Sequence, residues 1–176
     1  RTLPGTHPTK GSYFTRGTTR DPYARCSERG PDYIYNMERL LRKFCTAADL
    51  VPQPVLRPAA RPTALGVIYF GSTSPAMQEA LDVLEAEGVH LDAMRLRAFP
   101  FPEVVDQFIA AHEQVFVVEQ NRDAQMHALL VNELQVIPAR LIKVLHYDGT
   151  PITARFIAQA IQKHLQGAQA SLKEAA

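Results

Sequence analysis

The chain has 176 residues, of which 46% are hydrophobic and 21% charged, with a formal net charge of +1. This composition fits a globular protein with one main core and excludes the disordered and fibrous classes, and the near-neutral charge argues against a nucleic-acid or membrane partner. The uncharged stretch at residues 64–78 is broken by glycine and serine and falls short of the roughly 18 apolar residues that a membrane-spanning helix needs. A cytoplasmic protein is therefore predicted. Because the chain begins with Arg1 rather than Met and has no signal pattern, we expect a piece of something longer.

Residues 1–63 differ from the rest of the chain. They hold 11 of the 19 basic residues, 5 of the 18 acidic ones and 8 of the 13 prolines, which leaves them at +6 and the remainder at −5. Proline and glycine through residues 1–31 predict an irregular arm that lies over another surface. Arginines alternate with aromatic residues in this arm, as in a nucleic-acid strip, but Asp21 and Glu28 favour a domain-covering arm with aromatic anchors. The residues concerned are Arg16, Arg20, Arg25 and Arg29 with Tyr13, Phe14 and Tyr23. A short amphipathic helix is predicted at residues 33–45.

From Ala64 onward, predicted strands alternate with predicted helices. The strands are Leu65–Phe70, Leu91–Ala98, Gln114–Val118 and Leu141–His146, and the helices that follow them begin at Pro75, Pro102, Asp123 and Pro151. Ser74 and Thr150 are predicted helix caps, Gly88 closes the first of these helices, and the tail from Gly167 is expected to fray. Four β–α units in succession predict an α/β fold with a parallel sheet and helices on both faces.

The loops after the strands are the place to look for chemistry, because sheets of this kind bind ligands at the carboxyl ends of their strands. No glycine-rich dinucleotide or P-loop pattern follows any strand. The loop at residues 71–74 could offer backbone donors to an anion or simply form a turn and helix cap. It lacks the second glycine of a serine-hydrolase elbow. The isolated Cys26 and Cys45 and the six scattered histidines predict no metal or redox site.

An unusual polar cluster follows the third predicted strand. Glu119, Gln120 and Asn121 stand where an apolar strand meets a helix, and Gln125 comes shortly after them. Buried polar groups without partners cost about 1–3 kcal/mol each, so these side chains need hydrogen-bonding partners. Two interpretations remain open, namely a contact with another domain or subunit and a local network that holds the turn.

The same segment carries a family resemblance. Phe116-Val-Val-Glu119-Gln-Asn121-Arg-Asp-Ala-Gln125 resembles a segment in the last domain of 2-oxoacid:acceptor oxidoreductase alpha subunits. Other segments resemble that family as well, and together they extend from Arg1 to about Leu165. These are Leu65-Gly-Val-Ile-Tyr-Phe-Gly-Ser72, Leu96-Arg-Ala-Phe-Pro-Phe-Pro102, the Pro4-Gly5 opening and Met37-Glu-Arg-Leu-Leu-Arg-Lys43.

The resemblance implies a transketolase-C-terminal-like fold, a three-layer α/β/α sandwich with a mostly parallel mixed sheet of about five strands. One strand of that sheet runs antiparallel, and Pro54-Val-Leu-Arg57 is the candidate for it, at an edge because of its prolines. The implied division is an arm and short helix at 1–53, the domain at 54–166 and a frayed tail at 167–176.

The resemblance also implies a structural and assembly domain with no catalytic, cofactor-binding or metal-binding residue of its own. The parent enzyme would convert a 2-oxoacid to its acyl-CoA and reduce ferredoxin, using thiamine diphosphate, Mg²⁺, an iron–sulfur cluster and CoA. Its partners would be an upstream thiamine-binding domain of the same chain, a beta subunit and ferredoxin, in an oligomeric assembly. The candidate interface residues are Glu119, Asn121, Gln125, Arg20 and Asp21.

One segment departs from the family pattern. Many relatives have Gly-x-Glu-His-Asp/Glu in the arm, where this chain has Gly17-Thr18-Thr19-Arg20-Asp21. The substrate therefore stays open between pyruvate and 2-oxoglutarate, and 2-oxoglutarate is favoured. Two alternatives to the assembly domain are a free-standing Rossmann-like or flavodoxin-like binding module, with its ligand at residues 71–74, and the C-terminal domain of a transketolase or 2-oxoacid dehydrogenase.

Overall fold

The computed structural model describes residues 5–11 and 19–174. The chain divides into two compact units, Arg1–Ala47 and Ala48–Ala176. The predicted division between residues 53 and 54 falls six residues later. The predicted arm residues Tyr13, Phe14 and Arg16, the Pro4 position and the Gly17-Thr18 part of the departing segment lie outside the described residues.

The first unit contains a hairpin and most of a long helix. Strands β1 (Thr19–Arg20) and β2 (Cys26–Ser27) pair antiparallel within the arm that was predicted to be irregular. Helix α1 (Gly30–Leu50) begins earlier and ends later than the predicted helix at residues 33–45. The side-chain amide of Asn36 ties helix to hairpin by donating to the Thr19 hydroxyl and the Arg20 carbonyl, both at 2.7 Å.

The second unit is built on a five-stranded sheet with the order β3-β5-β4-β6-β7. The strands are β3 (Val55–Arg57), β4 (Leu65–Phe70), β5 (Asp92–Leu96), β6 (Gln114–Glu119) and β7 (Leu141–Leu145). All neighbouring strands are parallel except β3, which runs antiparallel to β5 at one edge. The antiparallel edge strand that the resemblance implied at residues 54–57 is thus confirmed, and its flanking prolines suit an edge position.

Helices cover both faces of this sheet. They are α2 (Ser74–Ala86), α3 (Glu103–Ala110), α4 (Gln125–Leu134) and α5 (Ala154–Glu174). Val67 and Phe116 point to the core shared with α2 and α5, while Ile68 and Val117 point to the core shared with α3 and α4. This alternation is what the two-residue period of a strand produces, and it confirms the three-layer α/β/α sandwich.

Several predicted helix ends besides those of α1 differ from the structure. Ser74 is the first residue of α2 rather than its cap, because a 3-10 turn at Gly71–Thr73 leads directly into the helix. The cap of α5 is Thr153, whose hydroxyl accepts the Phe156 amide at 3.2 Å, and Thr150 belongs to an earlier turn. Helix α5 also continues through Gly167 to Glu174, where fraying was expected. By contrast, Gly88 has the left-handed backbone (φ +82°) that was predicted for the end of α2.

Candidate functional site

The topology of the sheet marks one crevice at its carboxyl edge. The chain passes from β4 to β5 on one side and later to β6 on the other side, so the strand order reverses between β4 and β6. In open α/β sheets, ligands bind at such a reversal, outside the carboxyl ends of the strands. The loops that meet here are Gly71–Thr73 after β4 and residues 119–121 after β6.

A side-chain amide bridges the two loops. The Gln120 amide nitrogen donates to the Ser72 hydroxyl at 3.0 Å and to the Thr73 hydroxyl at 3.2 Å. Thr73 is buried, while Gln120 is exposed. The loop at residues 71–74, for which an anion site and a simple turn were both considered, begins as a 3-10 turn at Gly71–Thr73. Its two hydroxyls accept hydrogen bonds from the neighbouring loop.

Glu119 lies at the centre of the polar cluster and is completely buried. One carboxylate oxygen accepts the Asn121 side-chain amide at 2.8 Å and the Met126 backbone amide at 2.7 Å, and the other accepts the His127 backbone amide at 2.9 Å. The two backbone donors belong to the first turn of α4, which leaves such amides without partners inside the helix. A carboxylate at the amino end of a helix also suits the helix dipole. Glu119 thus caps α4 from the preceding strand.

Asn121 and Gln125 complete the same network. The Asn121 side-chain oxygen accepts the Gln125 backbone amide at 3.2 Å, while the Asn121 side-chain nitrogen binds Glu119. Ala124 comes just before α4 in a left-handed conformation and provides no side-chain cap, so Glu119 and Asn121 supply that function. The structure therefore brings together the three candidates Glu119, Asn121 and Gln125 and contains the local network that was one of the two interpretations.

The other two candidates, Arg20 and Asp21, belong to the hairpin of the first unit. The Asp21 carboxylate accepts the backbone amides of Tyr23 and Arg25, both at 2.9 Å, and forms the tight turn between β1 and β2. The Arg20 carbonyl accepts the Asn36 amide. Both residues therefore help to shape the hairpin.

His146 lies at the carboxyl end of β7 and was not singled out from the sequence. It is buried, its ring packs edge-on against Phe156 with centroids 4.8 Å apart, and its Nε2 lies 3.4 Å from a carboxylate oxygen of Asp148. The Thr150 amide and hydroxyl donate to the same oxygen at 2.8 Å each and hold the pKa of Asp148 below its usual value. Within residues 5–11 and 19–174, no three His, Cys, Asp or Glu residues are grouped so that they could hold a metal ion.

Helix α1 presents a stripe of exposed apolar side chains that the sequence pattern alone did not identify as a surface. Ile34, Met37 and Leu41 are 58%, 40% and 67% exposed, and their spacing places them on one face of the helix. Asp32 and Asn36, which face the hairpin, are only half exposed. We call Ile34, Met37 and Leu41 the α1 stripe. No helix in the described part of the chain is long and apolar enough to cross a membrane.

Comparisons with known proteins find similar proteins, although no family model matches the chain. The chain is 26% identical over 155 residues to 2-oxoacid:ferredoxin oxidoreductase 2, subunit alpha, of Aeropyrum pernix, covering 85% of this chain and 24% of that protein. It is also similar to the structure of 2-oxoglutarate:ferredoxin oxidoreductase from Magnetococcus marinus with 2-oxoglutarate, coenzyme A and succinyl-CoA bound. That likeness has a TM-score of 0.75 at 21% identity and covers 89% of this chain and 27% of the other. A split-gene transketolase, in the form of an inactive β4 tetramer, has a TM-score of 0.53 at 20% identity over 65% of this chain and 41% of its own.

These comparisons confirm the resemblance and the transketolase-like fold that the sequence predicted. The chain spans about a quarter of the length of the Aeropyrum alpha subunit and of the Magnetococcus enzyme chain. Residues 48–176 make up less than three quarters of the chain, so a match to 85% of it also extends into the first unit. The similarity to the Aeropyrum subunit is therefore not confined to the second unit.

Proposed function

We propose that this chain is the C-terminal domain of a 2-oxoacid:ferredoxin oxidoreductase alpha subunit, where it contributes packing and assembly rather than catalytic groups. The observation that carries the proposal is the match to an alpha subunit of that enzyme class along 85% of the chain. The fold supports it independently, because the relatives with the same fold are a 2-oxoacid oxidoreductase and a transketolase.

The parent enzyme would oxidatively decarboxylate a 2-oxoacid to its acyl-CoA and pass the electrons to ferredoxin. Thiamine diphosphate with Mg²⁺ would be held by an upstream domain of the same chain and by a beta subunit, which would also carry the iron–sulfur cluster. We favour 2-oxoglutarate over pyruvate as substrate, since the Magnetococcus enzyme is a 2-oxoglutarate enzyme. In that case the hydrogen bonds of Gln120 at the carboxyl-edge crevice would help to fix the loop at residues 120–125, which would contact other parts of the enzyme.

The α1 stripe supports a role in assembly. Soluble proteins rarely expose contiguous apolar side chains on one helix face unless another surface covers them. Ile34, Met37 and Leu41 form such a face. At the carboxyl edge, Arg122 is 75% exposed on the loop that the Glu119 network holds in shape. We therefore assign the contacts with the rest of the enzyme to the α1 stripe and to the loop at residues 120–125, with Glu119 and Asn121 fixing the loop.

Co-expression of the chain with the thiamine-binding domain and the beta subunit tests this role. A Leu41→Glu substitution places a charge in the α1 stripe, and we expect it to abolish co-purification of the complex while the chain stays folded, because Leu41 is 67% exposed. Thr46→Glu is the matched control, since it adds the same charge at an exposed position of the same helix. Retention of the Leu41→Glu chain in the complex would contradict the assignment. Tight binding of thiamine diphosphate by the isolated chain, seen by calorimetry, would contradict the proposed function itself.

A further inference from the structure

A buried histidine joins two elements at the amino edge of the sheet. His112 follows α3 and is 5% exposed. Its Nδ1 lies 2.7 Å from the Phe108 carbonyl oxygen, and its Nε2 lies 2.9 Å from a carboxylate oxygen of Asp92 in β5. A carbonyl and a carboxylate only accept hydrogen bonds, whereas a neutral imidazole has one donor and one acceptor. Two donors require the doubly protonated ring.

We propose that His112 is held as an imidazolium, which forms a buried ion pair with Asp92 and latches the end of α3 to β5. Neither ring nitrogen is then available to a substrate, so the pair is a conformational latch and not a catalytic dyad. The latch depends on the second ring proton. Its loss would place an unprotonated nitrogen against an oxygen acceptor at less than 3 Å.

The proton belongs on the ring rather than on Asp92. The second oxygen of the Asp92 carboxylate accepts the Ala59 backbone amide at 2.7 Å, and the side chain is 32% exposed, so water and a backbone donor both stabilise the ionised carboxylate. Imidazole is also the stronger base of the two in water. The negative end of the α3 dipole further favours a cation at the position of His112.

The charged groups around the pair come from several elements. Arg57 of β3 lines the same cleft as Asp92 and Phe108, and Arg140 lies 3.4 Å and 3.5 Å from the last carbonyl oxygens of α3. Glu113 follows His112 and is exposed. Arg57 is paired with Asp82 and Glu85 of α2, and Arg140 contacts the α3 carbonyls. Asp92 is therefore the charged side chain that the ring itself contacts.

Close packing prevents the ring from turning away from its partners. The rings of Phe108 and His112 have centroids 4.5 Å apart. Beneath them lies Gly66 of β4, where an added Cβ would come within 3.0 Å of the Phe108 ring and 3.2 Å of the His112 ring. The imidazole therefore cannot easily rotate away from its two partners while the side chains around it stay in place.

Nitrogen NMR of the whole chain, labelled at histidine, tests the charge state directly. At neutral pH we expect a proton on both ring nitrogens of His112, and a ring with one protonated nitrogen would overturn the proposal. At one fixed pH, Asp92→Asn should accelerate amide exchange at Glu113, whose amide donates to the Ala64 carbonyl at 2.9 Å, more than at amides remote from the pair. Unchanged exchange at Glu113 in that variant would also overturn the latch.

A charge-specific variant completes the test. Asp92→Asn removes the negative charge that pairs with the ring and leaves one acceptor oxygen in place of two, so at the same neutral pH His112 should carry a proton on one ring nitrogen only. Asp82→Asn, an exposed carboxylate on α2, is the matched control and should leave the ring unchanged. An Asp92→Asn chain in which His112 still carries both ring protons would contradict the ion pair, whatever the outcome of the assembly experiment.

Discussion

At the scale of single residues, Glu119 has the largest structural role in the carboxyl-edge site. Its carboxylate accepts three hydrogen bonds while completely buried. Glu119→Gln replaces one acceptor oxygen by a donor that faces the amides of α4, so we expect a loss of about 2 kcal/mol in the free energy of unfolding. Urea unfolding measures it, with the exposed Glu113→Gln as a control that should change stability by less than about 0.5 kcal/mol. Equal stabilities of the two variants would show that Glu119 does not cap α4.

The sequence identified this residue but not its function. Ordinary helix caps bind an amide two or three residues ahead, and by that spacing the sequence indicates Ser74 and Thr150 as caps. Glu119 instead binds the amides of Met126 and His127, seven and eight residues ahead, across a loop that contains the left-handed Ala124. Such a cap depends on the path of the loop in space, which no local spacing rule contains.

At the scale of elements, helix α4 ends in an unfavourable backbone conformation. Gln135, just past the helix, has φ +53° and ψ +31°, a left-handed conformation that costs a residue other than glycine about 1–2 kcal/mol. Gln135→Gly should therefore raise the free energy of unfolding by about 0.5–1 kcal/mol, after the greater flexibility of glycine in the unfolded chain is subtracted. Thermal unfolding measures this gain.

Gln78→Gly provides the control for that change. Gln78 is exposed inside α2, where glycine costs about 1 kcal/mol relative to a good helix former. The two substitutions are chemically identical and should have opposite signs. If Gln135→Gly destabilised the chain as much as Gln78→Gly, the left-handed conformation at the end of α4 would be refuted.

The elements differ in how well the sequence predicts them. Leu65–Phe70 is predicted to the residue because an unbroken apolar run followed by a glycine turn leaves little choice. Strand β3 has only three residues, too few to show a period, and only the family resemblance indicates it. Helix α1 begins earlier than predicted, in the part where Asp32 and Asn36 bind the hairpin, and the pattern of apolar residues does not contain those contacts.

At the scale of the whole molecule, the layered fold follows from the order of the elements, whereas the contacts that fix it do not. Four strand–helix units in succession are joined by right-handed crossovers, which place helices on both faces of the sheet. The bridge from Gln120 to Ser72 and the pair of His112 with Asp92 join residues 48 and 20 positions apart. These contacts can form only when the sheet has placed β4, β5 and β6 side by side, so the sequence alone does not predict them.

The stability of the sheet should also fall in alkaline solution because of a tyrosine in its core. Tyr69 of β4 is 6% exposed, and burial raises its pKa above the usual value of 10.0, an effect that Arg95 and Arg57 partly oppose. The folded chain therefore keeps the phenol protonated at a pH where the unfolded chain has lost that proton. This contribution to stability is complete below about pH 10 and is lost as the pH rises through the raised pKa.

Tyr69→Phe retains the ring and removes the ionisable group, so unfolding free energies measured from neutral to strongly alkaline pH should fall less steeply in the variant than in the native chain. Parallel pH profiles would mean that another group controls the alkaline limit.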